Sequence, residues 1–423
     1  MEKKKIYYTY PRRKWDNDIV NSQFEHFDFG PKADIRHDQD TITEKVTLKQ
    51  KLKKYKFMRK LGTYKFRYQL FKNNYVHKYK INEIKNYDGA VLSQLFLKDS
   101  DKCKIPYMVY IENSHSIFAY DYEKYENLKY RNIMINEIKK CVNDENFKGF
   151  IFYSERSKEG FYKYFNDIVP YEFKFQSVIY PFVKDNILID KMFIKERAED
   201  LKNKSINLLY ISSMFSLKGG CEIIESYLEL KRKYDVTLTM VTNPNTIPNK
   251  YLDYINEDPS IHIFNNNLDN NELHNLYKSS HILLHPTFMD STAIVIMEAL
   301  KSGLPVIATD TYAIPEYIQH GENGFLIENP IKYWDEDMKP NYPLDFFGSV
   351  NTANYIDKYK SNTLYKYIIN DLTRYVSEIV EDYELYSMNA YELSMTSSYT
   401  ENETLRRWNE VGSKLIDGKK TNI

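Results

Sequence analysis

Apolar and polar positions alternate most legibly between residues 281 and 329. His281-Ile282-Leu283-Leu284-His285 is a short apolar run closed by Pro286, the pattern of a buried strand. Ile294, Val295, Met297 and Leu300 then recur at helical spacing behind Ser291 and Thr292, which predicts a helix capped by those hydroxyls. Gly303 ends that helix, and Leu304-Pro305-Val306-Ile307-Ala308 opens the next strand. Strand, helix and strand within about 30 residues make a βαβ unit. Its two strands are therefore expected to be parallel and buried.

Shorter runs of the same kind predict strands over residues 5–10, 90–97, 105–112, 149–154, 176–181, 206–212, 235–242 and 261–265. Helices are expected from Gly220 to about Lys233, near 271–278, along the long segment 355–391 and over 401–415. Residues 11–40 read as irregular. The polar, charged stretch 184–204 reads as the boundary between two α/β domains.

Composition narrows the class. A chain of 423 residues with 42 % hydrophobic content and 15 % aromatics can bury sizeable cores. Its formal net charge is zero, which argues against nucleic acid as a partner. Three scattered cysteines make no disulfide framework. The basic N-terminus is followed by no signal-peptide core, and no apolar run approaches the ~20 residues of a membrane span. The expectation is a cytoplasmic protein, soluble or peripheral at the inner face of a membrane. Residues 45–80 are skewed, with 13 Lys or Arg and no acid. Leu48, Leu52, Tyr55 and Phe57 give that segment an apolar stripe, so it reads as a surface for anionic lipid or polymer. A solvated face neutralised by acids elsewhere in the fold is the alternative.

The chemistry follows from position. Parallel sheets bind ligands beyond the carboxyl ends of their strands, facing the following helices. Asp290 lies at such a junction, and the N–H groups around Thr292, Ala293 and Ile294 would point at an anion, helped by the helix dipole. Glu298, about one and a half turns into the helix, offers two acceptor oxygens to a vicinal diol such as ribose. Asp290 suits the hydroxyls of a second sugar. An anion between two hydroxyl-rich groups describes a nucleotide sugar. Lys218-Gly219-Gly220 precedes another helix, where the glycines let backbone approach a phosphate and the lysine adds charge. A tight turn with a surface lysine is the plainer reading of that triplet. His285 leads into the Asp290 loop, and Glu316 follows the next strand. Asn113 and His115 sit beyond the strand at 105–112, where an acceptor or donor sugar could be touched. Four Asp-x-Asp triplets follow no clear strand, and His262, His274, His281 and His285 lack zinc spacing, so no metal is expected.

Asp290-x7-Glu298, the run ALKSGLPVIATD from Ala299 to Asp310, and a tail of Pro315-Glu316-x-Ile318-x-x-Gly321-x-x-Gly324-Phe325-Leu326-Ile327 together resemble the donor site of family-4 retaining glycosyltransferases of GT-B fold. Asp290 stands where that family usually has Glu, Ala293 where it has Gly, and Tyr312-Ala313 where a Gly pair is common. Ser212 or Ser213 replaces an Arg that precedes the Lys-Gly loop, and Pro11-Arg12-Arg13-Lys14 replaces a Gly-rich loop. The resemblance covers about residues 205–330 firmly, extends over 85–200 and is poor before 85.

It implies an α/β protein of GT-B type: two Rossmann-like parallel-sheet domains facing a cleft, with a C-terminal helix crossing back to the first. The domains would be an acceptor-side domain over 1–195, a nucleotide-sugar-binding domain over 205–390 and a helical return over 391–423. The implied reaction is retaining, metal-independent transfer of a sugar from a nucleotide diphosphate sugar to a hydroxyl acceptor, in cell-surface polysaccharide or glycoconjugate synthesis. Lys218, Gly219 and the helix start at Thr292, Ala293 and Ile294 would stabilise the departing diphosphate. Glu298 would grip the ribose and Asp290 the transferred sugar; His285, Glu316, Asn113 and His115 complete the candidates. The donor needs no further cofactor, with UDP favoured over GDP or ADP, and the acceptor would be lipid-linked or an anionic polymer. The rival readings are a catalytically weak GT-B paralogue serving as a partner or targeting subunit, and an epimerase or phosphorylase on the same fold.

Overall fold

Apolar runs rich in Ile, Val, Phe and Tyr become the strands of two all-parallel sheets. The computed structural model describes residues 3–8, 14–30, 78–79, 84–94, 96–98, 104–114, 117, 128–165, 169, 174–185, 189–331, 333–334, 336 and 365–417. The first sheet comprises β1 (Lys4–Tyr8), β2 (Phe27–Gly30), β3 (Gly89–Ser93), β4 (Tyr107–Ile111), β5 (Phe147–Phe152) and β6 (Phe175–Val178), in the order β2-β1-β3-β4-β5-β6. β3 and β4 are buried at every position, as parallel strands covered on both faces should be. Helices α1 (Lys14–Asn21), α2 (Leu128–Val142) and α3 (Glu155–Phe165) follow β1, β4 and β5.

Two expectations need correction here. Residues 11–40 hold a helix and an edge strand, α1 and β2. The strand is only four residues long, and Phe27 and Phe29 face inward around Asp28. The strand expected over 90–97 ends at Ser93: Gln94, at φ 61°, turns the chain out of the sheet, and Phe96–Leu97 pairs with Lys78–Tyr79 in a separate two-stranded parallel sheet.

The second sheet comprises β7 (Ile206–Ile211), β8 (Val236–Val241), β9 (Ile261–Phe264), β10 (Ile282–His285), β11 (Val306–Thr309) and β12 (Gly324–Ile327). Its order is β9-β8-β7-β10-β11-β12, so the direction of winding reverses between β7 and β10. Around it run α4 (Lys191–Leu201), α5 (Gly220–Leu230), α6 (Asn249–Glu257), α7 (Asn270–Ser279), α8 (Ile294–Lys301), α9 (Lys366–Glu381) and α10 (Tyr383–Thr396). The apolar faces of α5 and α9 join the strands in one core that includes Ile224, Tyr227, Leu238, Leu284, Leu372 and Val376. α7 begins at a capping box, with the Asp269 and Glu272 side chains satisfying each other's backbone N–H groups.

The chain divides into two units, one of Met1–Tyr153, Ser157–Phe182 and Asn402–Ile423, the other of Ser154–Arg156 and Val183–Glu401. The polar stretch over 184–204 thus lies inside the second unit. Most of the charges within α4 lie on its solvent side, while Ile194, Arg197 and Ala198 are buried. The Arg197 guanidinium bonds to Ser302 O at 3.2 Å, Gly303 O at 2.6 Å and Ser387 Oγ at 3.0 Å, closing the carboxyl end of α8.

From Asn402 onward, α11 (Glu401–Asp417) belongs to the first unit. Trp408 is fully buried there, edge-on to Tyr8, Phe29 and Tyr110 at ring distances of 5.2, 5.7 and 5.4 Å. A ring of this size buried among aromatics contributes about 3–5 kcal/mol against alanine. Among the described residues, no helix is long and apolar enough to cross a membrane.

Candidate functional site

In a doubly wound sheet, the loops that leave the two strands at the reversal diverge and open a crevice. Here those strands are β7 and β10, and their loops carry Lys218 and Asp290. The loops are tied together. Phe288 N donates to Leu217 O at 3.0 Å, and Gly219, at φ 77°, passes so close to Pro286 that a Cβ would sit 2.3 Å from its carbonyl oxygen. Only glycine fits there. From beneath, Thr309 Oγ1 donates to Thr287 O, and Asn329 Nδ2 donates to Phe288 O at 3.1 Å. The site loop thus has a fixed floor.

On that floor two functional side chains, Lys218 and His285, meet at the Asp290 carboxylate. Lys218 Nζ donates to Asp290 Oδ2 at 2.5 Å and to Met289 O at 2.7 Å. His285 Nε2 lies 3.2 Å from the same Oδ2. Asp290 Oδ1 accepts from Ser291 N at 2.9 Å and Ala293 N at 3.2 Å. Burial pushes the Asp290 carboxyl upward, but the Lys218 ammonium and His285 outweigh it and hold the acid well below the usual carboxylate range. Burial also lowers His285, against the upward pull of Asp290, so its ring is neutral near pH 7. An ionised carboxylate only accepts, so the ring proton sits on Nε2. Nδ1 is buried without a hydrogen-bond partner among the described residues.

The start of α8 departs from expectation. Ser291 and Thr292 do not cap it; their hydroxyls face each other at 3.3 Å. The N-cap is Ala293, at φ 40° and ψ 62°, with no side-chain cap bond. The chain turns from loop to helix through this one left-handed residue, and the Asp290 carboxylate takes the Ala293 N–H that a hydroxyl would have taken. Tyr312, at φ 46°, is also left-handed. Both residues stand where the resemblance expects glycine, so the backbone keeps a glycine geometry without the glycine.

Glu298 accepts from the Tyr277 hydroxyl at 2.7 Å. Burial, with Glu298 adding to it, pushes that phenol far above its ordinary value, so it always donates. Sequence reasoning misses Tyr277; its only signal is an aromatic residue near the end of α7, a helix that is polar apart from Leu273 and Leu276. Trp334 was missed too. Its indole N–H donates to Asp290 O at 2.9 Å, and its ring lies over Tyr312 at 4.4 Å.

The remaining candidates are less concentrated. Glu316 accepts from the backbone N–H groups of Glu155 and Arg156, at 3.0 and 2.7 Å, all three within the second unit. Asn113 is buried in the first unit beyond β4, next to Glu112, whose Oε2 accepts from Gln94 Nε2 at 2.9 Å. His115 lies outside the described residues, as does the segment 45–80 except Lys78 and Tyr79. Lys78 Nζ pairs with Glu137 Oε2 at 2.7 Å.

The second unit thus offers an ammonium, a carboxylate paired with it, a helix start and a second oriented carboxylate. Comparison with known proteins points the same way. Residues 192–339 match the family described as glycosyl transferases group 1. The lipopolysaccharide glucosyltransferase WaaG of Escherichia coli (strain K12) is 25 % identical over 140 residues, 32 % of this chain and 37 % of WaaG. An uncharacterized glycosyltransferase of Haemophilus influenzae is 29 % identical over 141 residues, 32 % of this chain and 38 % of that protein. This chain therefore spans under two-fifths of either curated relative. The crystal structure of Anabaena HepE in complex with UDP is similar in fold, with a TM-score of 0.55 and 14 % identity over 97 % of this chain and 99 % of that one.

Proposed function

We propose, from the premise that residues 192–339 carry a glycosyl transferases group 1 domain, that the protein transfers a sugar from a nucleotide diphosphate sugar to a hydroxyl acceptor, with retention and without a metal. The observation that carries this reading is the meeting of Lys218 and Asp290 at the reversal between β7 and β10, with Glu298 on the helix that follows. Departure of the diphosphate is the hard step, and charge placed where negative charge develops is the largest help available. Lys218 and the N–H groups opening α8 supply that help. Glu298, held by Tyr277, takes the ribose diol, and Asp290 takes hydroxyls of the transferred sugar once Lys218 turns to the phosphates.

UDP is the favoured nucleotide, in keeping with the UDP bound to HepE, and glucose is the first sugar to try, in keeping with the WaaG name. The acceptor belongs to cell-surface polysaccharide or glycoconjugate synthesis and is lipid-linked or an anionic polymer. The basic segment 45–80 supports work at the inner face of a membrane. The test is transfer from UDP-glucose to a panel of lipid-linked and polymeric hydroxyl acceptors, with the product anomer read by NMR in the presence of EDTA. A product of retained configuration, formed at an undiminished rate with chelator, meets the proposal. Inversion, or loss of activity on chelation, defeats it.

A further inference from the structure

His285 is the one member of the Asp290 cluster that the reaction above does not use. It ends β10, is 2 % exposed, and has its two nitrogens in contrasting situations. Nε2 faces Asp290 Oδ2, while Nδ1 is a buried acceptor with no partner among the described residues. The charged groups acting on the ring are Asp290, from its own loop, and Lys218, from the loop after β7. Together the three side chains sum to zero: one cation, one anion and one neutral ring.

A diphosphate donor upsets that sum. It brings two negative charges and draws the Lys218 ammonium away from Asp290. The carboxylate then keeps its N–H bonds from Ser291 and Ala293 but loses its counter-charge, and a buried, unpaired carboxylate is strongly disfavoured. The nearest group able to replace the charge is the imidazole already bonded to it. We propose that His285 takes up a proton at Nδ1 when a nucleotide diphosphate sugar binds, and so replaces Lys218 as the counter-charge of Asp290. A solvent proton joins the Nδ1 lone pair, the Nε2–H remains on Oδ2, and no covalent bond to carbon changes. His285 acts through Asp290 and is therefore a positioning residue. The inference rests on the donor reading of the site.

The sign follows from the cluster. Burial holds the ring neutral in the free protein, and the incoming anion favours the charged ring, so binding consumes a proton and tightens as pH falls. UDP-glucose is the probe, because neither of its phosphates titrates near neutral pH. Calorimetry near pH 7 in buffers of different ionisation enthalpy counts the protons. The expected result is uptake of roughly half to one proton per site, with affinity rising ~3- to 10-fold per pH unit below pH 8. His285→Gln keeps an N–H for Asp290 but cannot be charged; it binds UDP-glucose more weakly than the wild type and with no proton uptake. Binding to the wild type without uptake overturns the proposal. Absence of heat with UDP-glucose in every buffer overturns the donor reading, and the inference with it. A ligand-free arm stands apart from both: NMR titration of the imidazole protons in Lys218→Met, where the cation is already gone. An upward move of the His285 midpoint by at least about one pH unit supports the exchange, and an unmoved midpoint overturns it.

Discussion

Replacing Lys218 by methionine keeps most of the side-chain volume and removes one charge of a pair that is only 12 % and 15 % exposed. At the observed 2.5 Å contact the charge centres are about 4 Å apart, which gives about 4 kcal/mol of attraction at an effective dielectric near 20. Breaking one partner of a buried pair costs about 3–5 kcal/mol, because the other charge is left without compensation. Asp290 retains two backbone N–H bonds and His285, which reduces the loss. We expect Lys218→Met to destabilise the second unit by about 2–4 kcal/mol. The double variant Lys218→Met with Asp290→Asn should recover to within about 1 kcal/mol of wild type, since it leaves no orphaned charge. Urea unfolding of the full chain, followed by tryptophan fluorescence, reads both. Trp334 reports directly, because its indole N–H is bonded to the Asp290 carbonyl. A single variant within about 0.5 kcal/mol of wild type, with no coupling in the cycle, would refute the reasoning.

Other perturbations separate strain, orientation and titration. Ala293→Gly should raise stability by about 0.5–1 kcal/mol, because relief of the left-handed alanine exceeds the added freedom of the unfolded chain; a lower urea midpoint would contradict it. Tyr277→Phe deletes the hydroxyl bonded to Glu298 and should weaken nucleotide binding by about tenfold, an effect of the size of one hydrogen bond to a charged group; unchanged affinity by calorimetry would detach Tyr277 from the site. Burial lowers His281 to about 4, and its Nδ1 accepts from Asn207 N at 2.8 Å. The unfolded chain protonates this ring near pH 6.5, so its contribution is complete above that value and falls by up to about 3 kcal/mol as pH drops toward 4. Urea midpoints taken across that range should fall more steeply in wild type than in His281→Gln.

Legibility followed the range of the interactions involved. The βαβ unit from β10 to β11 could be read directly, because continuous burial leaves an unbroken apolar run in each strand and α8 keeps its periodicity. α1 and β2 could not: a helix of eight residues and a strand of four give too few periods to rise above a polar background. Lys218 and Asp290 were each picked out as ligand groups, yet their pairing across 72 residues follows from strand order, which no local pattern encodes. Tyr277 and Trp334 reach the site from elements 21 and 44 residues away from their partners, and nothing in their own neighbourhoods announces a role. The missing glycines show the opposite case. Ala293 and Tyr312 look like departures from the family pattern, but the backbone adopts the left-handed turns all the same.

The central claim is that the reversal between β7 and β10 binds a nucleotide diphosphate, with Glu298 on its ribose. Calorimetry with UDP, GDP and ADP, on wild type and on Glu298→Ala, tests it most directly. UDP should bind in preference to the other two, and the variant should lose at least about tenfold in affinity, the worth of one charge-assisted hydrogen bond to the ribose. Absence of binding by all three, or UDP affinity indifferent to Glu298, would contradict it.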